Sequence, residues 1–134
     1  MSRIIEEIED ESGAVLRYRR HANGRGMVAV GASVDETAFI AANAYVESRV
    51  QVGQRAKIGA GSWIENDAIV GPAAVLGSNV RVGNGARIGV GAQVGSYAKI
   101  GANVRIGDGA RVNGDATIAD GTIIAGRTGF AKAA

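Results

Sequence analysis

The chain has 134 residues, 21 of them glycine, with 4% aromatic residues, one proline and no cysteine. That length suits one domain, its core must be made of Val, Ile and Ala, and disulfides and thiolate metal sites are excluded. The formal charge is only +2, yet it is unevenly placed: Glu6, Glu7, Glu9, Asp10 and Glu11 crowd the start, whereas Val70 to Val112 carries Arg81, Arg87, Lys99, Arg105 and Arg111 against Asp108 alone, so the middle is locally basic.

Residues 1–27 lie outside the pattern that fills the rest of the chain. Met1 to Asp10 is acidic with no apolar run, and no later stretch approaches the roughly 20 apolar residues that span a bilayer. No signal peptide or membrane anchor is readable, and cytoplasm is the default compartment. Ile4, Ile5 and Ile8 fall on one side of a short helix expected to begin near Ser2, and Val15-Leu16-Arg17-Tyr18 reads as a strand. The segment is expected to cap the remainder of the chain.

From Val28 onward an aliphatic residue returns every six positions without insertion or deletion: Val28, Val34, Ile40, Val46, Val52, Ile58, Ile64, Val70, Leu76, Val82, Ile88, Val94, Ile100, Ile106, Val112, Ile118 and Ile124, with Phe130 in the next slot. A repeat of that kind decides the architecture. Two places before the aliphatic the residue is nearly always small, as in Ala38, Ala56, Ser62, Ala74, Ala86, Ala98 and Ala110. Strand side chains alternate faces, so the small and the large residue point inward together. Glycine commonly follows the aliphatic, and two residues further on Gly, Asn or Asp recurs (Gly61, Asp67, Asn79, Gly85, Asn103, Asp115). Both positions read as turn residues that tolerate positive φ. Period six matches no helix, and so many helical glycines would each cost about 1 kcal/mol. Hairpins are excluded because nothing distinguishes outward from returning strands. Each repeat is one short strand and one corner of a parallel coil.

The run Val82-Gly83-Asn84-Gly85-Ala86-Arg87, Ile88-Gly89-Val90-Gly91-Ala92-Gln93, then Ile100-Gly101-Ala102-Asn103-Val104-Arg105 and Ile106-Gly107-Asp108-Gly109-Ala110-Arg111, resembles the bacterial transferase hexapeptide repeat. The resemblance covers Val28 to Phe130. It implies an all-β fold, a left-handed parallel β-helix with three strands and eighteen residues per coil, so that residues 28–134 form five to six coils behind a capping segment of residues 1–27. No C-terminal cap is readable after Phe130.

Such stacking aligns the outward residues into three rows: Met27, Tyr45, Trp63, Arg81, Lys99 and Thr117; Ser33, Gln51, Ile69, Arg87, Arg105 and Ile123; Phe39, Lys57, Val75, Gln93, Arg111 and Gly129. The early coils are apolar outside and the later ones basic. Tyr45, Trp63, Ile69 and Val75 are candidates for a subunit interface, unless the N-terminal segment folds over Tyr45 and Trp63. Arg81, Arg87, Lys99, Arg105 and Arg111 are candidates for contact with an anion. With only Trp63 and Tyr97 nearby as aromatics, nucleic acid is not the expected partner.

Hexapeptide acyltransferases, by the resemblance, deprotonate the acceptor with a histidine near a subunit interface, beside a loop that leaves the coil. Here the one histidine is His21, before the repeats in Arg19-Arg20-His21-Ala22-Asn23, and no repeat is interrupted. His21 is the catalytic candidate through reach into a neighbouring subunit; otherwise it is a solvated or structural residue. Glu47, Glu65 and Asp67 are the carboxylate candidates, or simply turn residues. One histidine cannot form the three-histidine metal site of the carbonic-anhydrase branch, so no metal is expected. The leading expectation is a non-catalytic oligomeric scaffold without a cofactor, homotrimeric with parallel axes or stacked end to end. The alternative is a coenzyme A-dependent acyltransferase with its site between subunits, and a further one is an anion or nucleic-acid binder using the basic rows. Fold alone does not choose among them.

Overall fold

The computed structural model describes residues 5–9 and 15–127. Each aliphatic of the six-residue series from Val28 to Ile124 takes the second place of a short strand. The first sheet contains β3 (Met27–Ala29), β6 (Tyr45–Val46), β9 (Trp63–Ile64), β12 (Arg81–Val82), β15 (Lys99–Ile100) and β18 (Thr117–Ile118). The second contains β4 (Ser33–Val34), β7 (Gln51–Val52), β10 (Ile69–Val70), β13 (Arg87–Ile88), β16 (Arg105–Ile106) and β19 (Ile123–Ile124). The third contains β5 (Phe39–Ile40), β8 (Lys57–Ile58), β11 (Val75–Leu76), β14 (Gln93–Val94) and β17 (Arg111–Val112). Every repeat strand lies parallel to the one three places on, as in Tyr45↔Trp63, Ile69↔Arg87 and Val75↔Gln93. The result is a left-handed β-helix of about 5 turns, with no helix among the described residues.

Val46, Ile64, Val82 and Ile100 stack in one interior column and are fully buried. Burial of each Val or Ile contributes on the order of 1.5–3 kcal/mol. The small residues two places earlier fill the prism between columns, and Ala38, Ala56, Ala74, Ala86 and Ala98 are inaccessible to solvent. Ser62 is the polar exception there: its buried hydroxyl donates to Gly77 O at 2.9 Å and accepts the Val80 N–H at 3.0 Å, which offsets its desolvation.

The two turn positions are different things. From residue 49 to residue 121 the third residue after each aliphatic has positive φ without exception, including Arg49, Arg55, Ala73 and Tyr97. The glycine directly after the aliphatic does not. At Gly83 a Cβ would meet Ala102 N at 2.6 Å, so glycine is there because the next coil lies on top of it. The expectation of a left-handed turn is therefore wrong for the first of the two positions.

The expected N-terminal helix is also corrected. Ile5–Glu9 is strand β1, antiparallel to β2 (Val15–Arg20) with Ile5↔Arg19 and Glu9↔Val15, and β2 in turn pairs antiparallel with β3. Helices of so few residues are not stable alone, whereas β3 offers an open edge whose amides need partners. The hairpin extends the first sheet. Residues 21–26 then run along the edge of the third, with Gly26 N–H donating to Ile40 O at 2.9 Å and Ile40 N–H to Asn23 O at 3.0 Å. Ile4, Gly129 and Phe130 lie outside the described residues.

Candidate functional site

The hairpin reaches the first sheet's outer row. Tyr18 on β2 is buried and meets the half-buried Tyr45 ring edge to face, centroids 5.6 Å apart. Its hydroxyl donates to Glu47 Oε1 at 2.5 Å, and the Trp63 indole N–H donates to Glu47 Oε2 at 2.7 Å. Burial, then the bond to Glu47, pushes the Tyr18 hydroxyl well above the usual tyrosine range. The N-terminal segment thus covers Met27 and part of Tyr45, while Trp63 stays 46% exposed. Arg81 lies over the Trp63 ring, 5.1 Å from its centroid, and its Nε donates to Glu65 at 2.5 Å. A cleft of about 450 Å³ opens between Tyr45 and Trp63.

The apolar interface candidates do not form one patch. Tyr45 and Trp63 stand on the first sheet, Ile69 on the second and Val75 on the third. One coil carries its apolar residues around its girth.

Charges divide more sharply. Asp67 sits one coil from Arg49 and pairs with it, Nε to Oδ1 at 2.8 Å and a second nitrogen to Oδ2 at 3.1 Å. That bond holds the Asp67 carboxyl below its usual range. Arg81 has Glu65. Arg87 and Arg105 stack in register on the second sheet with no acid placed against either among the described residues, although such stacking is unfavourable. They line a groove of about 430 Å³ bounded by Ile69, Val90 and Ile123, and its one acid, Asp108, accepts the Val90 N–H at 2.9 Å. Lys99 shares a groove of about 360 Å³ with Arg81, Glu65 and Asp120, where the signs balance. Arg111 is exposed on the third sheet, away from the other four.

His21 is only 7% exposed, and its Nε2 donates to Ala38 O at 2.8 Å. Of the two non-catalytic expectations for it, the structural one fits its place and the solvated one does not. Glu47, Glu65 and Asp67 are likewise each engaged. The sequence reading missed the Tyr18–Glu47–Trp63 link, which joins an unpatterned segment to the repeats. It could have found Arg49–Asp67, since opposite charges eighteen residues apart stack.

Residues 97–132, about a quarter of the chain, match the family model for the bacterial transferase hexapeptide (six repeats). That stretch is thus built of transferase hexapeptide repeats. No curated protein matches the chain's sequence. Among solved structures, the chain is similar to the acetyltransferase domain of PglB from Neisseria gonorrhoeae, with 24% identity over 75% of this chain and 54% of that one and a TM-score of 0.52. It is also similar to an H141N mutant of perosamine N-acetyltransferase from Caulobacter crescentus in complex with CoA and GDP-perosamine (27% identity, 74% and 52% covered, TM-score 0.39). A hexapeptide transferase family protein from Anaplasma phagocytophilum gives 19% identity, 72% and 70% covered and a TM-score of 0.46. The chain spans about half the length of the first two. The first of these likenesses is one of fold. Among the described residues no helix is long and apolar enough to cross a membrane.

Proposed function

We propose that the chain is the β-helix of an acyltransferase that draws on a coenzyme A thioester, with the donor's phosphates on the basic second sheet and the site completed between subunits of a homotrimer. The observation that carries this reading is the Arg87–Arg105 pair. Two guanidiniums in register, without an acid of their own, flanked by Ile69 and Ile123, fit a ligand that joins phosphates to an aliphatic arm. Residues 97–132, which match the transferase repeat, include Arg105. In this reading the chain's part is to bind and orient the donor. Proton removal from an amine or hydroxyl acceptor falls to a group supplied across the subunit contact, since His21, Glu47, Glu65 and Asp67 are already bonded within the chain.

That same engagement of every named base favours a second reading, a non-catalytic oligomeric scaffold that keeps the transferase fold. Calorimetric titration with acetyl-coenzyme A, alongside thiol release with amine and hydroxyl acceptors, separates the two. Saturable binding that is lost in the Arg87→Gln/Arg105→Gln variant, with thiol release, is the expected result. No binding by a protein that light scattering finds assembled would leave the scaffold. A monomer at high concentration would remove the trimer from both readings.

A further inference from the structure

The chain has one tryptophan, three tyrosines and two phenylalanines. That tryptophan and two of the tyrosines, Tyr18 and Tyr45, line one cleft between β6 and β9, and the only charged residue lining it is Glu47. Three other grooves among the described residues all carry bases: Arg55 and Lys57 in one, Arg87 and Arg105 in another, Arg81 and Lys99 in a third. In a locally basic chain, this cleft is acidic, and it is also the aromatic one.

Its polar atoms are largely committed. Glu47 accepts from Tyr18 through one oxygen and from Trp63 through the other, Asn43 Oδ1 accepts the Gly61 N–H at 2.9 Å, and the Ser62 hydroxyl is bonded on both sides. A guest that demands several hydrogen bonds finds few acceptors to spare. One held by charge and by aromatic rings finds Glu47 beside Tyr45 and Trp63, and aromatic rings attract cations electrostatically. The Trp63 ring already holds one cation, the Arg81 guanidinium, which does not line the cleft. The indole is fixed in place by its bond to Glu47, so little side-chain freedom is lost when a guest enters.

We propose that the Tyr45–Trp63 cleft binds a small organic cation with an alkylated nitrogen, a quaternary ammonium compound, between aromatic faces and the Glu47 carboxylate. This site is independent of the acyl-transfer reading, since it lies on the first sheet while the Arg87–Arg105 groove lies on the second. The lone tryptophan stands at the site and reports on it.

The test is titration of Trp63 fluorescence in the full chain with tetramethylammonium and with choline, against sodium chloride at equal ionic strength. The neutral isostere 3,3-dimethyl-1-butanol is the third arm. Saturable quenching by both ammonium ions, absent with sodium chloride and with the alcohol, is expected. Glu47→Gln should weaken binding about tenfold, the loss of one charge contact, and Tyr45→Leu should weaken it while keeping apolar bulk. Equal response to the alcohol would reduce the cleft to an apolar hollow and overturn the proposal, as would no saturable response to either cation. Should Glu47→Gln fail to fold, the comparison of cation with isostere in the unaltered protein still decides.

Discussion

The early and late coils share one backbone and one interior and differ in what is placed at their corners and on their outer rows. In the early coils several outward charges have partners: Arg49 has Asp67, Glu47 has Tyr18 and Trp63, Glu65 has Arg81. There the left-handed corners are taken by Arg49, Arg55 and Ala73 as well as by Gly61 and Asp67. From Asn79 on, the corners are Asn, Gly and Asp apart from Tyr97, while Arg87 and Arg105 stack without an acid. The early coils are locally strained and hold Glu47, Glu65 and Asp67 in side-chain pairs; the late coils are relaxed, and Arg87 and Arg105 stack there without an ion pair among the described residues. Ladder stability and surface chemistry are therefore set by separate positions, and each can be changed without the other.

The largest effect should come from crossing the inside–outside boundary on one face of the late coils. Ile88→Asp places an unpaired carboxylate where the side chain is 1% exposed and is expected to cost several kcal/mol, about 3–5, enough to unfold the chain. Ile123→Asp, on the same sheet but 73% exposed, should leave the melting curve in place. A folded Ile88→Asp protein by circular dichroism would break the register of the interior columns.

Next is the Tyr18–Glu47–Trp63 link of the early coils. Tyr18→Phe removes the donor to Glu47 and should cost about 1–2 kcal/mol. Its pH dependence has a definite sign. The Tyr18 pKa is raised in the folded state above its ordinary 10.0, so its contribution is complete below about pH 10 and is lost as pH climbs beyond that value. Denaturation at pH 8 and at pH 11 should show the gap between wild type and Tyr18→Phe narrowing at the higher pH. A constant gap would mean that burial and the bond to Glu47 do not raise the Tyr18 hydroxyl.

Corner strain should be worth about 1 kcal/mol per site. Ala73 has φ 62° and Gly91 has φ 69° with open space around its missing Cβ. Urea midpoints should therefore rise for Ala73→Gly and fall for Gly91→Ala. The same sign for both would contradict the assignment of that position. The smallest effect belongs to the open charges: Arg105→Gln should raise the melting temperature slightly in low salt, and the difference should vanish in high salt.

The fold was legible because the repeat never slips. Val28 through Ile124 could be numbered into strands, columns and outward rows, and the structure keeps that numbering. What could not be read were relations outside the period. Ile5 and Ile8 carry helix-like spacing, yet the open edge of β3 draws β2, and through it β1, into the sheet. The glycine that commonly follows the aliphatic is required by a neighbour eighteen or nineteen residues away, which a local turn reading cannot see. At the site, the basic residues were visible as composition, but whether each one is neutralised depends on offsets of sixteen or eighteen residues at corners. The aromatic cleft needed Tyr18, from a segment with no periodicity to place it.

The eighteen-residue register makes the chain a screw thread. Removing three consecutive hexads is a pure translation: each surviving row continues in line, one coil shorter. Removing one hexad is a third of a turn, and everything downstream changes face. Loss of residues 71–76 would bring Arg87 and Arg105 off the second sheet and into line beneath Tyr45 and Trp63, with the interior columns still filled by aliphatics. A six-residue deletion here is silent to the core and rewrites the surface, so the chain can shuffle which groups are neighbours without inventing a single new residue.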